Sequence, residues 1–266
     1  MPARSYLFVP GDRPERFDKA LASGAHAVIL DLEDAVQPAR KAEARHRVVQ
    51  WLASASQAVF VRINPVETPW HDDDRAVLVS PQVRGVMIPK AQARDDVIRV
   101  GSHLRPEQEI LPLIETAAGY ACLSEIAACP QVGRLAFGTF DFMADTGIQE
   151  DGQALDAIRT QMVLTSRLAQ LAAPIDGVCL AVDDAERVRA ETLRSRRWGM
   201  GGKLCIHPAQ VDAVNVGFAP TDAERAWAAR VMQALQSGTL GAVAVDGKLV
   251  DRPIALRAQT ILSEAA

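Results

Sequence analysis

The amino-acid sequence predicts an α/β fold, a closed (β/α)8 barrel with a C-terminal helix and hairpin extension, on three observations. Eight short apolar runs alternate with amphipathic, Ala- and Arg-rich stretches along the 266 residues. The runs are nearly continuously hydrophobic, which suits strands buried on both faces of a parallel sheet. Eight strand–helix units in one domain fit the length of a barrel, commonly about 250 residues. A doubly wound open sheet is the alternative. Its nucleotide signature, G-x-G-x-x-G after the first strand, is missing, because the chain reads Pro10-Gly11-Asp12-Arg13-Pro14 there.

The predicted strands cover residues 5–9, 26–30, 58–63, 85–89, 110–114, 134–137, 175–181 and 203–206. Helical patterns fall between them at 13–22, 41–53, 116–128 and 155–172. The barrel domain is placed at 1–218 and the extension at 219–266. In the extension, Thr221 followed three residues later by Glu224 reads as a capping box that opens a helix over 221–236. Asp246-Gly247 between the short apolar runs 242–245 and 248–251 signals a hairpin, and a last helix spans 253–263. A segment this small is expected to pack on its own barrel or on a neighbouring subunit.

Composition excludes several classes of partner. A net charge of −4 with no basic block argues against nucleic acid. The four cysteines include no C-x-x-C pair and read as buried thiols in a reducing cytosol. The start Met1-Pro-Ala-Arg4 runs straight into a strand, so no signal peptide is read, and no apolar stretch nears the roughly 18 residues of a membrane span. A cytoplasmic protein is the expectation.

The C-terminal ends of barrel strands carry the active site in this fold. Read in order, those ends give Pro10-Gly11-Asp12, Asp31-Leu32-Glu33-Asp34, Arg62-Ile63-Asn64, Pro89-Lys90, Glu115-Thr116, Gly138-Thr139-Phe140-Asp141 and His207-Pro208. Polar groups of both signs are costly to bury unpaired, so this many on one rim point to a site. Glu115 and Asp141 follow consecutive runs; if those are neighbouring strands, about 4.8 Å apart, the two carboxylates face one mouth. An acidic pair without His or Cys suits Mg2+. The other reading is a structural ion-pair network with Arg62 and Lys90. Asp31 and Glu33 share one side of an extended segment and serve either to orient Arg62 or Arg4 or in the chemistry itself. His207 reads as a hydrogen-bonded strand end, Asp72-Asp73-Asp74 as a solvated loop, and Gly199–Lys203 as a tight turn without phosphate-loop spacing.

These residues resemble the citrate lyase β-subunit-like proteins of the HpcH/HpaI aldolase superfamily. The matching pieces are Arg4-Ser-Tyr-Leu-Phe-Val-Pro-Gly11, Asp31-Leu-Glu-Asp-Ala-Val36, Lys41 with Ala44-Arg45, Val61-Arg-Ile-Asn64 and Pro89-Lys90. Further on come Ile114-Glu-Thr116, Phe137-Gly-Thr-Phe-Asp141, Ile206-His-Pro-Ala-Gln-Val211 and Asp246-Gly-Lys-Leu-Val-Asp-Arg-Pro253. The resemblance implies a TIM barrel, Mg2+ on Glu115 and Asp141, and a lyase that cleaves or forms a C–C bond in a 3-hydroxyacyl thioester such as citryl-CoA or malyl-CoA. Acetyl-CoA and a 2-oxo acid are the implied products. Some relatives hydrolyse the thioester. It also implies a homo-oligomer, trimer or hexamer, with Asp251 entering a neighbour's site as general acid/base.

The chemistry assigns parts to the same residues. Backbone N–H groups at Gly138 and Thr139, and at the helix starting near Thr116, are candidates to hold the substrate carboxylate. Arg62 supplies a fixed cation where negative charge develops, and Lys90 and Arg4 are further substrate-binding candidates. A base must exchange a proton with the acetyl carbon, for which Asp31 and Glu33 are the fallback to Asp251. Lys90 as a Schiff-base nucleophile is the alternative to metal. A class II aldolase acting on free 2-oxo acids, and a non-catalytic subunit, are the competing readings of the whole chain.

Overall fold

In the computed structural model, which describes residues 3–236 and 243–264, parallel strands close into a barrel in sequence order. They are β1 (Ser5–Pro10), β2 (Ala27–Asp31), β3 (Val59–Arg62), β4 (Val83–Ile88), β5 (Glu109–Ile114), β6 (Ala136–Phe137), β7 (Ile175–Asp176) and β8 (Gly202–Cys205). β1 pairs with β8 from Ser5↔Lys203 to Leu7↔Cys205, which completes the ring. The open-sheet alternative is thereby set aside.

The helices of the barrel unit are α1 (Phe17–Leu21), α2 (Lys41–Leu52), α3 (His71–Leu78), α4 (Arg94–Gly101), α5 (Ala117–Ala121), α6 (Leu123–Ala127), α7 (Thr139–Thr146), α8 (Gln153–Leu168), α9 (Ala185–Arg197) and α10 (Val211–Phe218). The sixth and seventh apolar runs give only two-residue strands, since hydrophobicity marks burial and not ladder hydrogen bonding. The pattern at 116–128 is two short helices joined at Cys122.

Strand parity decides what reaches the mouth. Successive side chains point to opposite faces, and the barrel interior is filled by Tyr6, Ala27, Ile29, Phe60, Met87, Leu111, Leu113, Ala136, Ile175 and Leu204. Continuing those inward columns by two residues gives Phe8 above Tyr6, Asp31 above Ile29, Arg62 above Phe60, and Glu115 above Leu113. Gly85 belongs to this plug as a gap: a Cβ there would lie 2.7 Å from the Phe60 ring and 2.3 Å from the Glu109 carbonyl. Beneath, the buried Arg134 guanidinium donates to the Ala3 carbonyl at 2.6 Å and to the Tyr6 hydroxyl at 3.2 Å. The N-terminal end is thus plugged by packed and hydrogen-bonded side chains, and the inward columns turn polar at the other end.

The chain divides into two compact units, Pro2–Gly217 and Phe218–Ala266. The second contains α11 (Asp222–Gln236), β9 (Val243–Val245), β10 (Lys248–Val250) and α12 (Arg252–Ser263). The capping box forms: the Thr221 N–H donates to Glu224 at 2.8 Å and the Glu224 N–H donates to the Thr221 hydroxyl at 3.1 Å. β9 and β10 are antiparallel. Asp246 and Gly247 both take positive φ, 51° and 74°, as a tight primed turn requires. Ala228, Val231, Val245, Ala258 and Ile261 form this unit's own core. Among the described residues no helix is long and apolar enough to cross a membrane, and the four cysteines are free thiols.

A buried ionic cluster ties α8 and α9 to β7 and β8. Asp176 accepts from Arg159 Nε at 2.8 Å and from the Ser195 hydroxyl, with Lys203 Nζ 3.6 Å away. Burial alone would raise the Asp176 carboxyl, but Lys203, Arg159 and Ser195 outweigh it and hold its pKa at about 2. A depressed native pKa contributes stability that is present above the unfolded value of 3.8 and lost as pH falls toward 2. Asp176→Ala removes the fully buried partner shared by Arg159 and Lys203 and leaves them Asp151, Asp156 and Glu191, so it is expected to cost about 3 kcal/mol. A urea midpoint at neutral pH within error of the parent protein would contradict that role.

Candidate active site

The C-terminal mouth holds a cavity of about 350 Å³, lined by Phe8, Pro10, Asp31, Asp34, Ala35, Arg62, Leu113, Glu115, Phe137, Gly138, Thr139, Phe140, Asp141, Val178, Leu204 and Ile206. Asp31 and Arg62 are register partners on adjacent strands. Their side chains form a forked pair, Nε to Oδ1 at 2.7 Å and Nη2 to Oδ2 at 2.5 Å. The same Asp31 oxygens accept the N–H groups of Glu33 at 2.9 Å and Ala35 at 3.2 Å, which folds the segment after β2 back over its own strand. Lys41, in the first turn of α2, donates to the carbonyls of Leu32 and Glu33 at 2.8 and 2.7 Å and pins that loop from behind.

Glu33 reaches the other side of the guanidinium. Its Oε2 lies 2.9 Å from Arg62 Nη1, yet no donor is aimed at that oxygen along a hydrogen-bond direction, and it is a buried acceptor left unsatisfied. The contact is therefore an ion pair by distance and not a directed bond. Lys90 Nζ lies 3.5 Å from Glu33 Oε1. The Arg62 guanidinium also stacks over the Phe8 ring at 4.5 Å. Burial works against its charge, but Asp31, Glu33 and Glu115 keep it firmly protonated.

Glu115 follows β5, and Asp141 lies in the first turn of α7, just after β6. The two strands are neighbours, with Ile114 opposite Phe137. The expectation of adjacent strands holds; Asp141 comes from the helix and not from the strand end. Glu115 is 3% exposed and accepts the Lys90 N–H on Oε1 at 2.8 Å. Making that bond places Lys90 at a φ of 47°, a left-handed conformation unusual for lysine. Behind the carboxylate is Gly138, where a Cβ would lie 2.4 Å from Glu115 Oε2; only glycine leaves the space. Burial, then the Glu33 and Asp141 carboxylates, push the Glu115 pKa up to about 8. Burial likewise raises the Glu33 carboxyl, with Arg62 opposing.

The structure brings Asp31, Glu33, Arg62, Lys90, Glu115, Gly138, Thr139 and Asp141 together. Arg4 precedes β1 and so lies at the N-terminal end of the barrel, about 20 Å along the strand from the mouth. Its backbone N–H bonds His26, and its carbonyl accepts from Lys203. It does not line the cavity, and strand polarity is the reason. Asp251 belongs to the C-terminal unit, where it caps α12 by accepting the Ile254 N–H at 3.1 Å. The Gly138 N–H is already spent on the Ile114 carbonyl at 3.0 Å. At the helix after Thr116, the Ala117 N–H goes to Asp145 and the Gly119 N–H to the Thr116 hydroxyl. The Gly138, Ala117 and Gly119 N–H groups are thus engaged within the protein, and the first-turn N–H groups of α7, beginning at Thr139, have no intrahelical acceptor. Asp72–Asp74 is no solvated loop: it opens α3, and the buried Asp74 accepts from the Asn64 backbone and side chain at 2.8 and 2.7 Å and from Arg45 at 2.9 Å. His207 is a cap, accepting the Ala209 N–H at 3.2 Å. Sequence reading passed over the apolar wall, Phe8, Phe137, Val178, Leu204 and Ile206, whose signal was the inward parity of otherwise ordinary core residues.

The donor set fits a hard divalent cation. Two carboxylates meet an excess of negative charge that has raised one of their pKa values, and one buried Glu33 oxygen beside them lacks a donor. Mg2+ characteristically takes one or two protein carboxylates and leaves its other positions to water and substrate. Among the described residues no group of three His, Cys, Asp or Glu side chains converges as a closed metal cage.

Residues 4–208 match the family model described as HpcH/HpaI aldolase/citrate lyase, and the chain belongs to that family. It is similar to a citrate lyase subunit beta-like protein of Deinococcus radiodurans, 37% identical with 99% of this chain and 97% of that one covered. It is also similar to a (3S)-malyl-CoA thioesterase of Cereibacter sphaeroides, 33% identical with 99% and 95% covered. Among solved structures, Mycobacterium tuberculosis protein CitE in complex with magnesium, acetoacetate and coenzyme A superposes with a TM-score of 0.86, at 32% identity over 99% of this chain and 98% of that one. The chain is thus a CitE-like member of a family that includes lyases and a thioesterase.

The raised Glu115 pKa makes a prediction for the protein freed of divalent cations. The native state keeps that proton to about pH 8, whereas the unfolded chain releases it near 4.5. The contribution is fully present below the unfolded value and is lost as pH rises through the native one. Urea denaturation in EDTA is expected to show stability declining from about pH 5 to about pH 8, and Glu115→Gln is expected to flatten that slope.

Proposed function

We propose that this protein is a Mg2+-dependent carbon–carbon lyase acting on a 3-hydroxyacyl thioester, producing an acetyl thioester and a 2-oxo acid, or running the reverse condensation. The observation that carries the reading is the mouth itself: the Glu115–Asp141 carboxylates opposite an Arg62 immobilised by Asp31 and Glu33. Glu115 and Asp141 hold the cation. When bound, Mg2+ supplies a Lewis acid and template for the carbonyl and carboxylate of the 2-oxo acid.

The chain's own groups do the rest. The first-turn N–H groups of α7, starting at Thr139, face the substrate carboxylate. Arg62 stabilises the oxygen on which charge accumulates, and its fork on Asp31 fixes it before reaction, so little reorganisation remains. In cleavage the hydroxyl proton leaves to a base, the C–C bond electrons pass to the thioester enolate, and the enolate carbon is protonated. Substrate and products are isomeric, so no further reactant is required. Asp251 is the proposed acid/base, supplied by the C-terminal unit of a neighbouring copy in a homo-oligomer; one of its oxygens accepts the Ile254 N–H as the helix cap. Lys90 serves as a charge and not as a Schiff-base amine: burial alone would lower its pKa, but Glu33, Glu115, Asp34 and Asp141 raise it and keep the ammonium protonated.

A cleavage assay on citryl-CoA, malyl-CoA, citramalyl-CoA and a free 4-hydroxy-2-oxo acid tests the reading. Thioester cleavage that stops with EDTA and returns with Mg2+ is expected; thiol release without a 2-oxo acid would assign a thioesterase instead, and cleavage of the free acid alone an aldolase. Glu115→Ala is expected to abolish turnover and Mg2+ binding while the far-UV spectrum persists. Gly138→Ala is expected to weaken Mg2+ binding in calorimetry, because its Cβ displaces the Glu115 carboxylate. Arg62→Lys loses the fork and is expected to lower kcat about 100- to 1000-fold. For Asp251, mixing Asp251→Asn with Glu115→Ala subunits is expected to restore part of the activity; no recovery in mixed oligomers would place the base elsewhere.

A further inference from the structure

We propose that α2 positions Arg62 for the reaction, with Lys41 and Arg45 as the positioning residues that hold the two segments on either side of it. This role rests on the lyase reading above for its chemistry, though not for its geometry. Arg62 ends β3, and a cation aimed at a developing charge is effective only if it is fixed before reaction. The fork on Asp31 fixes the guanidinium itself. Neither Lys41 nor Arg45 lines the cavity, so both act through other residues.

Lys41 and Arg45 are four residues apart on α2 and share one face of it. On one side, the buried Lys41 ammonium donates to the Leu32 and Glu33 carbonyls at 2.8 and 2.7 Å. Glu33 in turn places Oε2 2.9 Å from Arg62 Nη1. On the other side, Arg45 Nε donates to Asp74 Oδ1 at 2.9 Å. Asp74 Oδ2 accepts the backbone N–H of Asn64 at 2.8 Å and its side-chain amide at 2.7 Å. Asn64 lies two residues beyond Arg62, past the end of β3, and its carbonyl is met by His71 Nδ1 at 2.8 Å. Its backbone is therefore held by side chains of α3 and not by a neighbouring strand. The two arms meet at Trp70, where Lys41 Nζ lies 5.3 Å from the ring centroid and Arg45 Nη2 donates to the carbonyl at 3.4 Å.

Apolar packing would hold these loops without burying a charge. Lys41 instead keeps an ammonium on two main-chain carbonyls, and desolvation of an ion is strongly unfavourable. Burial lowers its pKa, against the pull of Asp31, Glu33, Asp74 and Asp34. What these polar contacts add over packing is direction, because each joins a fixed donor to a fixed acceptor. Direction matters most at a group that serves the transition state, where a displacement of about 1 Å costs about 100-fold in rate.

Kinetics separate this role from a contribution to folding alone. On whichever thioester of the panel is cleaved, folded Lys41→Met is expected to lose about 10- to 100-fold in kcat, while KM and the calorimetric Mg2+ Kd stay within about threefold. In an Arg62→Lys background the same change is expected to cost less than about twofold more, because the geometry it maintains is already gone. An unchanged kcat, or a full further loss in the Arg62→Lys background, overturns the proposal. Arg45→Lys keeps the charge but gives up the Asp74 and Trp70 contacts; it is expected to show the same loss confined to kcat, and it decides the matter should Lys41→Met not fold. The Arg62 Nε–H resonance, identified by its absence from Arg62→Lys, reports the geometry without turnover and is expected to shift in both variants. If no thioester is cleaved, the lyase reading fails and this resonance alone decides. A resonance unmoved in both variants overturns the proposal.

Discussion

The fork between Arg62 and Asp31 is the interaction on which the mouth of this barrel depends. The guanidinium is 11% exposed and its partner 1%, so both charges have been taken from water, and neither is tolerable there alone. Register makes the pairing possible: the two residues sit opposite each other on adjacent parallel strands, with parity turning both inward. The other features lean on this pair. Glu33 is oriented by a backbone N–H donated to Asp31, Lys41 holds the loop carrying Glu33, and Lys90 is drawn to Glu33. Removing the Asp31 carboxylate would release the loop as well as the cation.

Around the clamp the backbone is packed to its limit. At Gly138 and Gly11 a side chain would collide, with the Glu115 carboxylate at 2.4 Å and with the Asp31 carbonyl at 2.7 Å. Lys90 adopts a left-handed φ so that its N–H reaches Glu115. Unusual backbone at a ligand site is kept because its surroundings over-determine it. Here the outcome is a Glu115 carboxylate with one oxygen fixed by a backbone donor and the other against a glycine, which favours defined ligation over swinging.

Much of this was legible in the chain. Eight apolar runs gave the barrel, and strand-end polar residues gave Asp31, Arg62, Glu115 and Asp141, because barrel parity and strand polarity act on every strand alike. Asp246-Gly247 and Thr221–Glu224 were legible because their signals are local. What escaped reading was non-local. Arg4 was assigned to the site by its charge, although its place before β1 puts it at the opposite end. Asp74 read as solvent-facing in a triple-aspartate run, and only the packing of α3 against α2 shows it buried on Asn64 and Arg45. The spent N–H of Gly138 was hidden because β6 is too short for its ladder to be drawn from sequence.

The charge balance explains why such a mouth is stable. Arg62 answers Asp31 and half-answers Glu33, Lys90 answers the rest of Glu33, and the pull of Arg62 on Glu115 does not outweigh burial and the Glu33 and Asp141 carboxylates. The protein without cation meets the deficit by keeping a proton on Glu115, which is what a pKa of about 8 means. On the proposed function a divalent cation would replace that proton, so its binding would release a proton and strengthen with pH up to the same value. The charged side chains that line the cavity thus stand on the β2–β6 side, where one local imbalance sets the proton affinity of Glu115, while the arc from β7 through β8 to β1 contributes Val178, Leu204, Ile206 and Phe8 to the wall.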